Sequence, residues 1–198
     1  MKRIDLIVGA RPNFIKAFPV YRALEKTGQF SLRLINTGQH YDKNMADVFF
    51  EQLKMKKPDI NLGIGSGRHG EQTARILDEI EREFLSEKPD LVIVFGDVNS
   101  TLAAALAAAK LNISVAHVEA GLRSFDRSMP EEINRVLTDQ ISDLLFITSP
   151  EAEVNLLKES KDKDQIYFVG NTMIDSLISF KDFFDGSQIK KQYGLQEK

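Results

Sequence analysis

Six short runs rich in Ile, Val, Leu and Phe, at 4–8, 33–36, 91–95, 113–118, 143–148 and 166–169, are each followed by longer stretches of helical period. No other feature restricts the fold as much. The intervening segments read as helices near 13–27, 43–54, 71–86, 100–110, 131–141, 150–158 and 172–184. Strands that alternate with helices are joined by right-handed crossovers and build a mostly parallel sheet covered on both faces. The expected fold class is therefore α/β, a doubly wound, Rossmann-like parallel sheet. The stretch 57–64, KPDINLGI, is a weaker strand candidate.

Composition narrows the function. A chain of 198 residues is long enough for one domain with a sizeable core. Its 26 Lys and Arg against 29 Asp and Glu leave a net charge of −3, which gives no electrostatic footprint for nucleic acid or an anionic membrane surface. The absence of Cys excludes a disulfide framework, a thiolate metal site and a Cys nucleophile. No apolar stretch approaches the ~20 residues of a membrane span. The apolar run after Lys2 and Arg3 is too short for a signal-peptide core, so it reads as a first strand and the protein as cytoplasmic. The 3 His include no pair at helical spacing, so no metal site is expected.

In a doubly wound sheet the ligand crevice lies beyond the carboxyl ends of the strands. The residues there include Gly9-Ala10-Arg11-Pro12-Asn13, Asn36-Thr37-Gly38-Gln39-His40, Gly96-Asp97-Val98-Asn99-Ser100 and Glu119-Ala120-Gly121-Leu122-Arg123. Arg11, Asp97, Glu119 and Arg123 thus stand beside glycines on what should be one edge. Gly65-Ser66-Gly67-Arg68-His69-Gly70 matches a dinucleotide fingerprint as a bare pattern, but it does not close the first βα unit. It reads instead as a loop whose Gly70 adjoins the cap of the 71–86 helix.

Arg11 and Lys16 flank Pro12 at a helix start, where free backbone N–H groups and two cations would suit a phosphate or diphosphate. Asp97 follows a fully apolar strand and serves either as a helix cap, with Asn99, Ser100 and Thr101 at hand, or as a catalytic carboxylate. Glu119, Glu131 and Glu132 are further acids, and Arg135 lies at helical spacing from the last two. Such acids converging on one cleft would supply partners for proton transfer at a sugar carbon. His117 reads as a satisfied core residue, although its place near a strand end also sets it among the substrate-binding candidates. His40, beside Gln39 and close to Asp42, is a candidate ligand contact.

The motifs GARPNFIK, NTGQHYDKNM, FGDVNSTLAAALAA, VAHVEAGLRSFDRSMPEEINR and VGNTMIDSL resemble the non-hydrolysing UDP-N-acetylglucosamine 2-epimerases, in consistent order from Met1 to about Phe180. The resemblance implies one half of a glycosyltransferase-B-type two-domain fold. It implies interconversion of UDP-N-acetylglucosamine and UDP-N-acetylmannosamine by elimination of UDP across C1–C2 to 2-acetamidoglucal and re-addition, with no cofactor. Carried over by motif, Arg11 would bind the diphosphate with support from Lys16. Asp97, Glu119 and Glu131 would be the catalytic carboxylates, and Arg135 would order them. Gln39 and His40 would lie near an allosteric UDP-N-acetylglucosamine. A homodimer is implied as well.

Two spacings, Tyr41–Asn44 and Ser124–Met129, differ from those of many bacterial relatives and resemble members that epimerise modified UDP-sugars such as a diacetamido-uronic acid. By the same resemblance 1–180 is an N-terminal domain, and 181–198 is a linker or the start of a hinge toward a second domain that carries a catalytic His. The chain alone is then expected to lack appreciable epimerase activity. The rival readings are a hydrolysing 2-epimerase releasing N-acetylmannosamine and UDP, a glycosyltransferase donor domain, and a non-catalytic nucleotide-sugar binding module.

Overall fold

The computed structural model describes residues 1–39, 56–181 and 192–194. Within them β1 (Lys2–Val8), α1 (Arg11–Thr27), β2 (Phe30–Asn36), β3 (Ile60–Asn61), α2 (His69–Ser86) and β4 (Leu91–Phe95) come first. There follow α3 (Asn99–Lys110), β5 (Ser114–Ala120), α4 (Pro130–Ile141), β6 (Leu144–Ile147), α5 (Pro150–Lys158), β7 (Ile166–Phe168) and α6 (Thr172–Ser179). The strands form one parallel sheet in the order β3-β2-β1-β4-β5-β6-β7. The doubly wound α/β class is as expected, and the direction of winding reverses between β1 and β4, where such sheets open a crevice.

All six expected strands are present, and the weak candidate at 57–64 contributes the two-residue edge strand β3. The helix expected at 43–54 lies outside the described residues, as does most of the expected linker at 181–198. The glycine pattern at 65–70 lies between β3 and α2, which starts at His69, so Gly70 belongs to the first turn of that helix. Among the described residues no helix is long and apolar enough to cross a membrane.

The central strand runs are largely apolar because both faces of the sheet are buried there. Along β1, Ile7 faces a core built with Ile76, Ile80 and Phe84 of α2 and the alanines of α3. Its neighbours Leu6 and Val8 face a second core with Phe14, Ala17, Phe18 and Tyr21 of α1. β4 divides the same way, with Val92 and Val94 on the first side and Ile93 and Phe95 on the second. Ala103, Ala104, Ala105, Ala107 and Ala108 of α3 are all buried, since only small side chains fit a helix enclosed by the sheet, α2 and α4.

α6 is fastened to α1 at a specific defect. Pro19 lies inside α1 and lacks the N–H that would have bonded the Ile15 carbonyl one turn earlier. Ser176 of α6, itself buried, donates its hydroxyl to that carbonyl at 2.6 Å. Phe180 adds a tilted ring contact to Phe18 at 5.3 Å. Ser176→Ala should therefore destabilise the chain by about 1–3 kcal/mol in urea unfolding, because the carbonyl loses its donor. Ser179→Ala, which removes an exposed bond to Asp175 within the same helix, should stay within about 0.5 kcal/mol of wild type.

Candidate functional site

The site is built where β1, β4 and β5 end. After β1 the chain turns at Gly9, where a Cβ would lie 2.3 Å from Ser100 Oγ and 2.4 Å from Thr37 Oγ1. Asn13 organises this turn: its Oδ1 accepts from the N–H groups of Gly9 and Ala10, and its Nδ2 donates to the Phe95 carbonyl of β4. The N–H of Asn13 goes to Ala10 O, and Pro12 has none. The expected cradle of free backbone N–H groups is thus largely consumed internally. What α1 offers an anion is the exposed Arg11 side chain at its first residue, together with the positive end of the helix dipole.

Lys16, one turn further on, is buried and places Nζ 2.6 Å from Oε1 of Glu119. Glu119 reaches it through a distortion of β5, whose pairing with β6 shifts register between Val118 and Ala120. Glu119 itself has φ +75°, a left-handed conformation that costs a non-glycine residue about 1–3 kcal/mol. The ion pair lies directly over Gly96, where a Cβ would meet Lys16 Nζ at 2.9 Å and Glu119 Oε1 at 3.9 Å. Gly96 also has φ +64°, so both space and backbone select glycine there.

Asp97, the next residue, is not the cap of α3. That position is held by Val98, and the N–H of Ser100 is met by Gln39 Oε1 at 3.0 Å. The Asp97 carboxylate pairs with Arg135, which also contacts Glu132 at 2.8 Å. Glu132 accepts from the N–H groups of Ser124 and Phe125 and from the Ser124 hydroxyl. Burial opposes its ionisation, but those donors and Arg135 prevail and hold its carboxyl below the usual range. Arg135 thus orders Asp97 and Glu132, rather than the expected set of Asp97, Glu119 and Glu131. Glu131 sits exposed on the first turn of α4, outside this cluster.

Two further expectations need correcting. His117, a substrate-binding candidate, has 0% exposure, with Nδ1 2.6 Å from Asp139 Oδ1 and Nε2 2.7 Å from Gly96 O. Both ring nitrogens are occupied inside the protein, so the core reading is the one that fits. Arg123 turns away from the crevice onto Asp139 and Glu159, with its side chain 1% exposed. Gln39, an allosteric candidate, is buried, and its Oε1 accepts from the N–H and hydroxyl of Ser100. His40 lies outside the described residues.

Sequence reasoning missed the polar network behind this edge. Gln72 donates to Gly65 O and Gln39 O, Asn99 donates to Gln72, and Asn134 donates to Asn99 and to Asp97 O. Amides carry no chemical signature in a sequence, and their alignment depends on three separate helices.

Exposure separates the carboxylates by role. The side chains of Asp97 and Glu119 are 27% and 17% exposed, whereas those of Glu132 and Asp139 are 4% and 0% exposed. Only the first two are both anchored by a cation and open to a ligand. Such an edge can exchange protons with a bound group while Arg11 and Lys16 attract an anionic one.

Because the folded Glu132 carboxyl ionises below its ordinary value of 4.5, its contribution is complete above that pH and is lost as pH falls through the folded value. Glu132→Gln should cost about 1–3 kcal/mol near neutral pH in urea unfolding, with the gap to wild type closing as the medium is acidified below pH 4.5.

The chain is 55% identical over 176 residues to a UDP-N-acetylglucosamine 2-epimerase of Methanocaldococcus jannaschii, covering 89% of this chain and 48% of that protein. It is 52% identical over 180 residues to a UDP-2,3-diacetamido-2,3-dideoxy-D-glucuronate 2-epimerase of Pseudomonas aeruginosa, covering 90% and 51%. The crystal structure of the M. jannaschii UDP-GlcNAc 2-epimerase in complex with UDP-GlcNAc and UDP superposes with a TM-score of 0.92 at 51% identity, over 96% of this chain and 52% of that one. The chain therefore spans about half the length of the curated relatives it matches. The profile of the UDP-N-acetylglucosamine 2-epimerase family matches residues 22–198, and the chain belongs to that family.

Proposed function

We propose that this chain is the N-terminal, nucleotide-sugar-binding half of a non-hydrolysing enzyme that interconverts UDP-N-acetylglucosamine and UDP-N-acetylmannosamine. The observation that carries the reading is the pair of cation-anchored, solvent-open carboxylates, Asp97 and Glu119, at the point where the winding of the sheet reverses. The C2 hydrogen of the sugar is not acidified by a carbonyl, so proton loss is coupled to departure of UDP. A carboxylate takes the C2 proton, the C1–O bond breaks with its electrons on the diphosphate, and 2-acetamidoglucal remains. Re-addition of UDP with a proton delivered to the opposite face of C2 gives the epimer.

In this scheme Arg11 and the start of α1 hold the diphosphate. Lys16 shifts between Glu119 and the departing phosphate oxygens as charge develops there. Glu131, on the exposed first turn of α4, is assigned its catalytic part by family resemblance. A second α/β domain, supplying the other wall of the cleft, would begin near residue 181 in the complete enzyme. The complete enzyme would work as a cytoplasmic homodimer and need no cofactor. The 52% identity to the P. aeruginosa enzyme supports a second reading, in which the sugar is a diacetamido-uronic acid.

Calorimetric titration of the 198-residue chain with UDP-N-acetylglucosamine should give saturable binding that weakens about tenfold or more in Arg11→Ala, as loss of a charge-assisted contact requires. Equal affinity in the two proteins would remove Arg11 from the site. Tighter binding of the diacetamido-uronate nucleotide than of UDP-N-acetylglucosamine would favour the second reading. In an NMR assay the chain by itself should not convert UDP-N-acetylglucosamine, because in this reading a second domain supplies the other wall of the cleft, and turnover would contradict the two-domain requirement.

A further inference from the structure

The carboxylates at the crevice are carried by two different strand ends, and one buried unit joins them. His117 of β5 directs Nε2 at the Gly96 carbonyl, 2.7 Å away, immediately before Asp97. Its Nδ1 lies 2.6 Å from Oδ1 of Asp139 in α4. The other oxygen of Asp139 accepts from the Gly121 N–H at 3.0 Å, two residues after Glu119, and contacts Arg123 at 2.7 Å. Each atom of this unit is shut away from solvent.

Donor and acceptor chemistry determines which way these bonds run. A carbonyl oxygen only accepts, so Nε2 carries a proton and donates to Gly96. Burial opposes ionisation of Asp139, but His117 and Arg123 outweigh it and hold its carboxyl below its ordinary range. The charged groups facing this ring and its partners are Asp139 and Arg123, with Lys16 and Glu119 on the far side of Gly96.

We propose that His117 is a positioning residue, held in place by Asp139, that fixes the Gly96 carbonyl and so aims the Asp97 carboxylate at the sugar, in register with Glu119. The Gly96 peptide needs such a tie. Its φ is +64° and it adjoins the Lys16–Glu119 pair, so a small rotation there would swing Asp97 and disturb that pair together. This role rests on the reading that Asp97 and Glu119 face a UDP-sugar.

Two substitutions separate the two bonds. In His117→Gln the amide nitrogen takes the place of ring Nε2 and can still donate to Gly96, whereas in His117→Asn it takes the place of Nδ1 and reaches only Asp139. UDP and UDP-N-acetylglucosamine are titrated into the 198-residue wild-type chain and both variants, with folding checked by circular dichroism. The expected result is that His117→Asn loses about tenfold of the preference for UDP-N-acetylglucosamine over UDP while its UDP affinity holds, and that His117→Gln keeps the preference to within about threefold. Retention of the preference in His117→Asn overturns the proposal, as does a parallel loss of both ligands in both variants, which marks a role in folding alone. Nitrogen-15 NMR of the wild-type ring, which needs no variant, should show Nε2 protonated and hydrogen-bonded; a bare Nε2 would overturn it equally. If the wild-type chain has no preference for the sugar nucleotide, the reading of the site fails first, and the positioning role falls with it.

Discussion

A parallel sheet covered on both faces leaves few places for polar chemistry, and that restriction governs this molecule. With Ile7, Val92 and Val94 packed under α2 and α3, and Leu6, Val8 and Phe95 packed under α1, the strands carry almost no free polar surface of their own. Charged and amide side chains collect where the strands stop. The reversal of winding between β1 and β4 spreads the helices apart there and opens the edge.

Most of the polar groups collected at that edge serve one another. Asn13 occupies the N–H groups of the first turn, Gln39 those at the start of α3, and Glu132 those of the loop after β5. Burying a polar group without a partner is costly, so satisfaction of this layer is a condition of folding. It also stiffens the turns on which Asp97 and Glu119 stand. The backbone is specialised in the same place: Glu119 adopts a left-handed conformation, and Gly9 and Gly96 sit where a Cβ would collide with Ser100 or Lys16. The bulge that strains Glu119 is also what turns its carboxylate onto Lys16.

The charge pairs follow the same logic at two depths. Asp139 and Glu132 are sealed in with their donors, which suits groups that hold loops in place. Asp97 and Glu119 keep one cationic partner each and partial access to solvent, which leaves them within reach of a ligand. Six of the seven strands could be read from apolar runs, and Arg11, Lys16, Asp97, Glu119 and Arg135 stand out in the sequence because they follow strand ends or share a helix turn. Glu132 was harder to separate from Glu131, because neighbouring acids in a first turn look alike until one of them rotates inward.

The sequence by itself determined the α/β class, the sheet edge on which Arg11, Lys16, Asp97 and Glu119 stand and the family, because apolar periodicity and contiguous motifs are local properties of the chain. Only the tertiary structure decided which charged residues remain open to a ligand. Arg123 and His117 belong to the same motif as Glu119, yet Asp139, about twenty residues downstream, draws both inward. The Ser176 bond to the Ile15 carbonyl, across 161 residues, was equally out of reach. Each of these outcomes depends on which donor meets which acceptor at the end of a folded strand, and partners distant in sequence leave no local pattern to read.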